Sequence, residues 1–193
     1  MKAYEGYKAE KPVGAKENMP IGAYIAKILE AKEVEYAWGN VLVISFDVTE
    51  GEHKDFFAND YKAQTNEDKK WRGTYRLNIP KDDGTEQDGW TKNTFNSAMY
   101  AVEASNKGYA WNWDEKTLKG KTVGVLFRNF EWEINGKTRW STECGMLLAV
   151  DDARNGKFKP MKDKPLKNKS GAAQAASNNF SELPPVDDGD LPF

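Results

Sequence analysis

The sequence predicts a mainly β domain of five strands, with one helix between the third and the fourth strand. Three observations predict it: runs of alternating apolar residues, one apolar stripe with helical spacing, and an Asn-Gly pair between two long strand-like runs. With 193 residues, 39% of them hydrophobic, we expect one folded core with polar ends. Four segments are predicted, namely an N-terminal arm or loosely docked lead-in (1–20), the folded domain (21–151), a basic and then polar flexible linker (152–182) and an acidic tip (183–193).

The first two strands are predicted from alternation. Residues 23–35 alternate in side-chain character, which favours a strand, although Ala, Lys, Leu and Glu are also good helix formers. We favour the strand because the next segment needs a pairing partner. Gly39 and Asn40 predict a turn, and residues 41–49 are the clearest strand, since β-branched and aromatic residues line it.

The third strand and the helix are predicted from shorter signals. Residues 54–58 are the predicted third strand, followed by a polar loop and by an extended run over residues 71–77. The helix follows a second polar loop and is predicted from one apolar stripe at i, i+3, i+4 and i+7: Phe95, Ala98, Met99 and Val102. Thr91 or Asn93 can cap its start, and Gly108 stands where a left-handed terminus is expected.

The last two strands, over residues 122–134 and 137–150, are predicted to form a hairpin. Asn135-Gly136 between them is typical of a type I′ turn, which needs positive φ at both positions. A two-residue loop places three pairs opposite each other: Trp132 and Arg139, Glu131 and Trp140, and Arg128 and Glu143. Five strands with a helix after the third have the connectivity of the five-stranded OB-fold barrel, which is the predicted fold.

Composition argues against several classes of function. Cys144 is the only cysteine, so no intrachain disulfide forms, and we expect a buried thiol in a reducing cytoplasm. One cysteine and one histidine, His53, do not supply a zinc site. We predict no cofactor, no metal ligand and no catalytic residue, because a Ser/His/Asp set and a phosphate-binding glycine loop are both absent. The many carboxylates leave a metal-dependent nuclease open, and no apolar run is long enough to cross a membrane.

Aromatic and basic residues interleave in two stretches, residues 69–76 and 128–140. This combination holds single-stranded nucleic acid, because bases stack on aromatic faces while Lys and Arg contact phosphates. The candidate contact residues are Trp71, Arg72, Tyr75, Arg76, Arg128, Phe130, Trp132, Lys137 and Arg139. The hairpin register places Arg128, Phe130 and Trp132 on one face, where a buried, unpaired guanidinium would be costly. Trp140 is expected to pack on the other face.

The C-terminal part of the chain has an uneven charge pattern. Residues 154–169 contain seven Lys or Arg against one Asp, and residues 170–193 contain four acids and no base. The basic run can be a solvated linker, it can contact phosphates, or it can hold the acidic end electrostatically. The chain ends in the sequence DDGDLPF, in which three carboxylates precede an apolar tip. Burying these carboxylates in the core would be energetically unfavourable, so we expect this segment to lie outside the core.

The DDGDLPF end resembles the C-terminal tip of bacterial single-stranded DNA-binding proteins, where acids precede an Ile/Leu-Pro-Phe end. Residues 19–150 are similar to a phage and prophage group of single-stranded DNA-binding proteins. The likeness is carried by the PIGAY sequence at residues 20–24, by Gly39-Asn40, and by the LKGK sequence at residues 118–121. The polar stretch over residues 59–89 is longer than this family leads us to expect.

The resemblance implies a protein that coats single-stranded DNA without strong sequence preference during replication, recombination or repair, in the host-cell cytoplasm if a phage encodes it. It also implies that the tip recruits partner enzymes, with carboxylates on basic residues of the partner and the apolar end in a pocket: Asp187, Asp188, Asp190, Leu191, Pro192 and Phe193. A strand-annealing or recombination mediator is the alternative. The sequence leaves self-association open.

Overall fold

The computed structural model describes residues 17–167. Five antiparallel strands form one sheet in the order β3-β2-β1-β4-β5. The elements in chain order are β1 (Gly22–Tyr36), β2 (Gly39–Val48), α1 (Phe56–Ala63), β3 (Thr74–Asn78), α2 (Glu86–Ser105), a 3₁₀ turn (Glu115–Leu118), β4 (Thr122–Ile134), β5 (Lys137–Leu148) and α3 (Val150–Arg154). The prediction of a mainly β fold with a helix between the third and fourth strands is confirmed.

The core lies between the curved sheet and α2. Strand β1 is central, because it pairs with β2 along one edge and with β4 along the other. Every residue of the predicted helical stripe is buried in the core: Phe95, Ala98, Met99 and Val102. Alternate residues of β2 meet them from the sheet, with Ile44 and Phe46 fully buried. The apolar face of α2 and the apolar face of β2 therefore pack together in one layer.

Helix α2 begins earlier than predicted. Thr85 is its N-cap, and the Thr85 hydroxyl accepts a hydrogen bond of 3.2 Å from the backbone N–H of Asp88. Thr91 and Asn93, the predicted caps, lie inside the helix. The first turn was missed because its residues are polar and add nothing to the apolar stripe, whereas Thr85 with an acid three residues later is a capping pattern. Gly108 does have a positive φ just after the helix, at 80°.

The predicted third strand over residues 54–58 is wrong. This segment enters α1, because the buried carboxylate of Asp47 accepts hydrogen bonds from the backbone N–H groups of Val48, Phe57 and Ala58, at 2.8, 3.0 and 2.9 Å. An anion at a helix N-terminus is favoured by the helix dipole and by the unpaired N–H groups there. The true third strand is β3, which overlaps the run over residues 71–77 that was predicted only as extended.

The predicted closed barrel is not formed. In residues 17–167 the sheet is open, with β3 and β5 at its two edges and no backbone ladder between them. The two edge strands do approach each other, with Cα atoms within 8 Å. Part of β5 is occupied by the chain that enters the domain, since Ser141 and Thr142 donate side-chain hydrogen bonds to Asn18 and to the Met19 carbonyl. Residues 17–20 are thus docked, and Met19 is buried.

The predicted flexible linker is wrong for residues 152–167. Helix α3 ends at Arg154, and we call residues 157–167 the basic strap; residues 163–166 of the strap lie beside β4. Lys164 forms a parallel bridge with Phe130, joined by two backbone hydrogen bonds of 2.8 and 2.9 Å. The rest of the linker and the acidic tip, residues 168–193, lie outside the described residues, as does most of the N-terminal arm. Within residues 17–167, the helices are too short or too polar to cross a membrane.

Candidate nucleic-acid interface

Strands β4 and β5 extend beyond the rest of the sheet as a two-stranded ribbon. The ladder between β1 and β4 ends at the pair Gly22 and Phe127, so residues 128–134 pair with β5 but not with β1. The turn at the end of the ribbon has φ of 51° at Asn135 and 70° at Gly136, which confirms the predicted type I′ geometry. We call residues 128–143 the ribbon.

The ribbon register is as predicted, with Trp132 opposite Arg139, Glu131 opposite Trp140 and Arg128 opposite Glu143. Because alternate side chains of a strand lie on opposite faces, one face of the ribbon combines aromatic and basic groups: Arg128, Phe130, Trp132, Lys137 and Arg139. Phe130 and Trp132 are half-buried, and the two cations near the turn are exposed. Within residues 17–167, no carboxylate lies within 4.0 Å of Lys137 or Arg139.

A cleft of about 350 Å³ separates the base of the ribbon from the segment between α1 and β3. Phe130 lines the cleft on the ribbon side, and Lys70, Arg72 and Arg76 line it on the other side. The entering chain at Asn18 closes one part of it. The structure therefore brings together candidates from both stretches, although they are more than fifty residues apart in sequence.

Arg72 and Arg128 both pair with carboxylates. Arg72 Nη1 lies 2.8 Å from Asp60 Oδ1. The Arg128 guanidinium donates two hydrogen bonds to Glu143 Oε1, at 2.9 and 2.8 Å. Both pairs are partly exposed, so each arginine can exchange its carboxylate for a phosphate at modest cost. These two arginines are less accessible to phosphate than Lys137 and Arg139.

Trp71 and Tyr75 are not available for base stacking, which corrects the prediction for both. They are 4% and 6% exposed. Trp71 packs against Phe57 and Tyr61 and donates its Nε1–H to the Gly73 carbonyl at 3.1 Å. Burial raises the pKa of Tyr75. The signal was in the sequence, because every second residue from Trp71 onward faces the core while the arginines between them face outward.

Trp140 was predicted to pack, and this is wrong, since the side chain is 50% exposed. The ladder between β1 and β4 ends at the pair Gly22 and Phe127, so β1 does not continue beside this part of the ribbon. The ribbon consequently offers an aromatic side chain on each face, Trp132 on one and Trp140 on the other. Other tryptophans lie elsewhere: Trp38 stacks on Tyr36 at the turn between β1 and β2, and Trp90 is exposed on α2.

Within residues 17–167, no group of three or more His, Cys, Asp or Glu is arranged to hold a metal ion. No protein-family model matches this chain, and no curated protein matches its sequence. In the described part of the chain, the site is an aromatic ribbon with two cations, Lys137 and Arg139, that have no carboxylate within 4.0 Å, beside a cleft lined by basic side chains. This arrangement can stack planar groups and can hold anions.

Proposed function

We propose that this protein binds single-stranded DNA without strong sequence preference, and that it takes part in phage or prophage DNA replication, recombination or repair. The observation that carries the proposal is the ribbon face, where Phe130 and Trp132 lie beside Lys137 and Arg139. Stacking on aromatic rings tolerates any base, and lysines and arginines near the rings neutralise the backbone. A surface of this kind reads no base edges, so low sequence preference follows from it.

The scaffold supports the proposal. Five antiparallel strands with α2 between β3 and β4 correspond in order to the OB fold, in which β3 and β5 close the barrel. Here β3 and β5 approach each other without a ladder, so the proposed fold is an OB-type sheet that is open at this seam. The seam is bordered by Arg76 and Ser141, which line the cleft next to the ribbon.

A partner-recruiting tip is the second half of the proposal. It rests on the sequence DDGDLPF alone, because residues 168–193 lie outside the described residues. Asp187, Asp188 and Asp190 would contact basic residues of a replication or recombination protein. The Leu-Pro-Phe end and its α-carboxylate would enter an apolar pocket that has a cation at its rim.

The proposal is tested by titrating the protein with poly-dT at low salt while intrinsic tryptophan fluorescence and electrophoretic mobility are followed. We expect quenching and a mobility shift that both weaken as salt is added, because neutralised phosphates release counterions. Absence of both signals at low salt would reject single-stranded DNA as the ligand. Complementary strands added to the same gel identify an annealing protein, and probe degradation with Mg²⁺ or Mn²⁺ identifies a nuclease.

A further inference from the structure

The basic strap has an apolar side and a cationic side. Its apolar residues, Phe158, Met161 and Leu166, are half-buried against the domain. Met161 fits over Gly145 of β5, where a Cβ atom would lie 2.7 Å from the Met161 sulfur. The lysines of the strap are all exposed: Lys157, Lys159, Lys162, Lys164 and Lys167. The strap is thus held by its apolar residues and presents its charges to solvent.

Polar contacts fix the strap to the edge of the ribbon. Besides the two backbone bonds of Lys164, Asn129 Nδ2 donates to Asp163 Oδ1 at 3.0 Å. The backbone N–H of Leu166 donates to Glu131 Oε2 at 3.2 Å. Asn129, Phe130 and Glu131 all belong to β4, so these contacts fix residues 163–166 of the strap, Lys164 among them, at the β4 edge of the ribbon.

Within the described part of the chain, most of these lysines have no carboxylate partner. Lys164 Nζ lies 3.3 Å from Glu143 Oε1, the same oxygen that accepts from Arg128, so one carboxylate there serves two cations. Within residues 17–167, Lys157, Lys159, Lys162 and Lys167 have no carboxylate within 4.0 Å. The strap therefore adds a row of available positive charges to the ribbon edge.

We infer that the basic strap is a second part of the nucleic-acid interface, in which its lysines bind the phosphates of the strand that runs on from the ribbon. The inference rests on the proposed function and extends it. The lysines recur every two or three residues along the strap, and Lys164 among them forms the β-bridge to the ribbon, so the strap carries a series of cations next to the aromatic residues. Cations in a line beside aromatic rings are the arrangement that holds single strands, whereas a short acidic peptide needs no aromatic ribbon.

The test measures the salt dependence of binding to a long dT oligonucleotide. The strap variant is the triple substitution Lys159→Gln, Lys162→Gln and Lys167→Gln. The matched control is Lys107→Gln, Lys116→Gln and Lys119→Gln, which removes three exposed lysines from the connection between α2 and β4. We expect the slope of log K against log salt to become shallower by about 2 in the strap variant, at about 0.7 for each of three phosphates, and to stay unchanged in the control.

The outcomes separate the inference from the function on which it rests. Equal slopes for the strap variant, the control and the wild type would overturn the inference while leaving the proposed function in place. Tighter DNA binding by the strap variant would also overturn it, because the lysines would then hold a competitor such as the chain's own acidic end. Failure of the wild type to bind at all would overturn both. Unchanged thermal unfolding of the two variants serves as the folding control, since all six lysines are exposed.

Discussion

Trp132 is the single residue on which the proposed interface depends most. It lies opposite Arg139 on the ribbon, so an aromatic ring shares one small area with a cation that has no carboxylate partner among the described residues. We expect Trp132→Ala to weaken dT binding by about 1–3 kcal/mol, the contribution of one stacked base. Fluorescence anisotropy of a labelled oligonucleotide measures the change. Trp90→Ala is the matched control, because Trp90 is 65% exposed on α2 and should leave the affinity unchanged.

Asp47 is the residue whose loss should most disturb the α1 side of the cleft. Asp47→Asn keeps the shape but turns an amide N–H₂ toward backbone donors, so we expect the free energy of unfolding to fall by about 1–3 kcal/mol for a donor left unpaired. Denaturant unfolding at pH 7 measures the loss. A stability equal to that of the wild type would mean that the three backbone bonds of the carboxylate are not needed to hold α1.

The same substitution predicts a pH dependence. Burial raises the pKa of Asp47 above its usual value, and this outweighs the hydrogen bonds from Phe57, Ala58 and Val48, which lower it. A carboxyl whose pKa is higher in the folded state favours folding most when it is protonated, and that contribution is lost as pH rises through the folded-state pKa. The stability difference between wild type and Asp47→Asn should therefore be larger near pH 4 than at pH 7. A smaller stability difference near pH 4 would mean that the hydrogen bonds to the carboxylate lower the pKa of Asp47 by more than burial raises it.

Which aromatic residues are exposed could be predicted only in part. Trp71 and Trp132 both lie on extended runs in which aromatic and basic residues interleave. They differ in what covers them, because Trp71 is enclosed by α1 whereas the ribbon extends past the end of the β1 ladder. A local pattern does not reveal where a neighbouring strand ends, so Trp71 was wrongly included and Trp140 was wrongly left out.

At the scale of elements, the ribbon is held mainly by its own ladder, by the type I′ turn and by the strap. We expect Gly136→Val to weaken dT binding. A β-branched residue at a φ of 70° is strained by roughly 1–2 kcal/mol, and this strain would distort the turn that connects the two strands of the ribbon. Gly120→Val is the control, since Gly120 has a φ of 82° and equally open surroundings but precedes β4. It should lower the melting temperature without lowering the affinity. Equal loss of affinity in both variants would contradict a local role for the ribbon.

The hairpin was predictable and the third strand was not, for opposite physical reasons. Asn135-Gly136 determines the turn type, and the turn type determines the register of the two strands. The hairpin can therefore be predicted from local sequence alone. The sequence of residues 54–58 is typical of a strand. However, the carboxylate of Asp47, some ten residues earlier, accepts hydrogen bonds from backbone N–H groups of this segment and so stabilises the start of a helix. The docking of the basic strap was equally hidden, because it depends on a free edge of β4 that exists only in the folded sheet.

At the scale of the whole molecule, the proposal separates DNA binding from partner recruitment. We expect deletion of Phe193 to leave the dT affinity intact, since the ribbon and the strap are far from it in sequence. The same deletion should abolish co-purification of a replication or recombination protein from host extract, because the apolar end would no longer fill its pocket. Loss of DNA binding upon the deletion would contradict this separation.

The chain order of three strands, a helix and a two-strand hairpin was predicted from sequence and is confirmed, whereas the predicted barrel closure is not found in the described residues. Closure depends on whether β3 and β5 can form a ladder, and the entering chain at Asn18 and Met19 bonds to β5 instead. No motif in residues 1–20 signals this contact, which spans more than a hundred residues of sequence.

We propose that single-stranded DNA lies on the ribbon and the basic strap. Hydrogen–deuterium exchange of the full chain, with and without a long dT oligonucleotide, tests it most directly because it locates the contact along the chain. We predict slower exchange in residues 128–143 and 157–167, with no change in α2. Binding that protects α2 and leaves the ribbon unprotected would contradict the account.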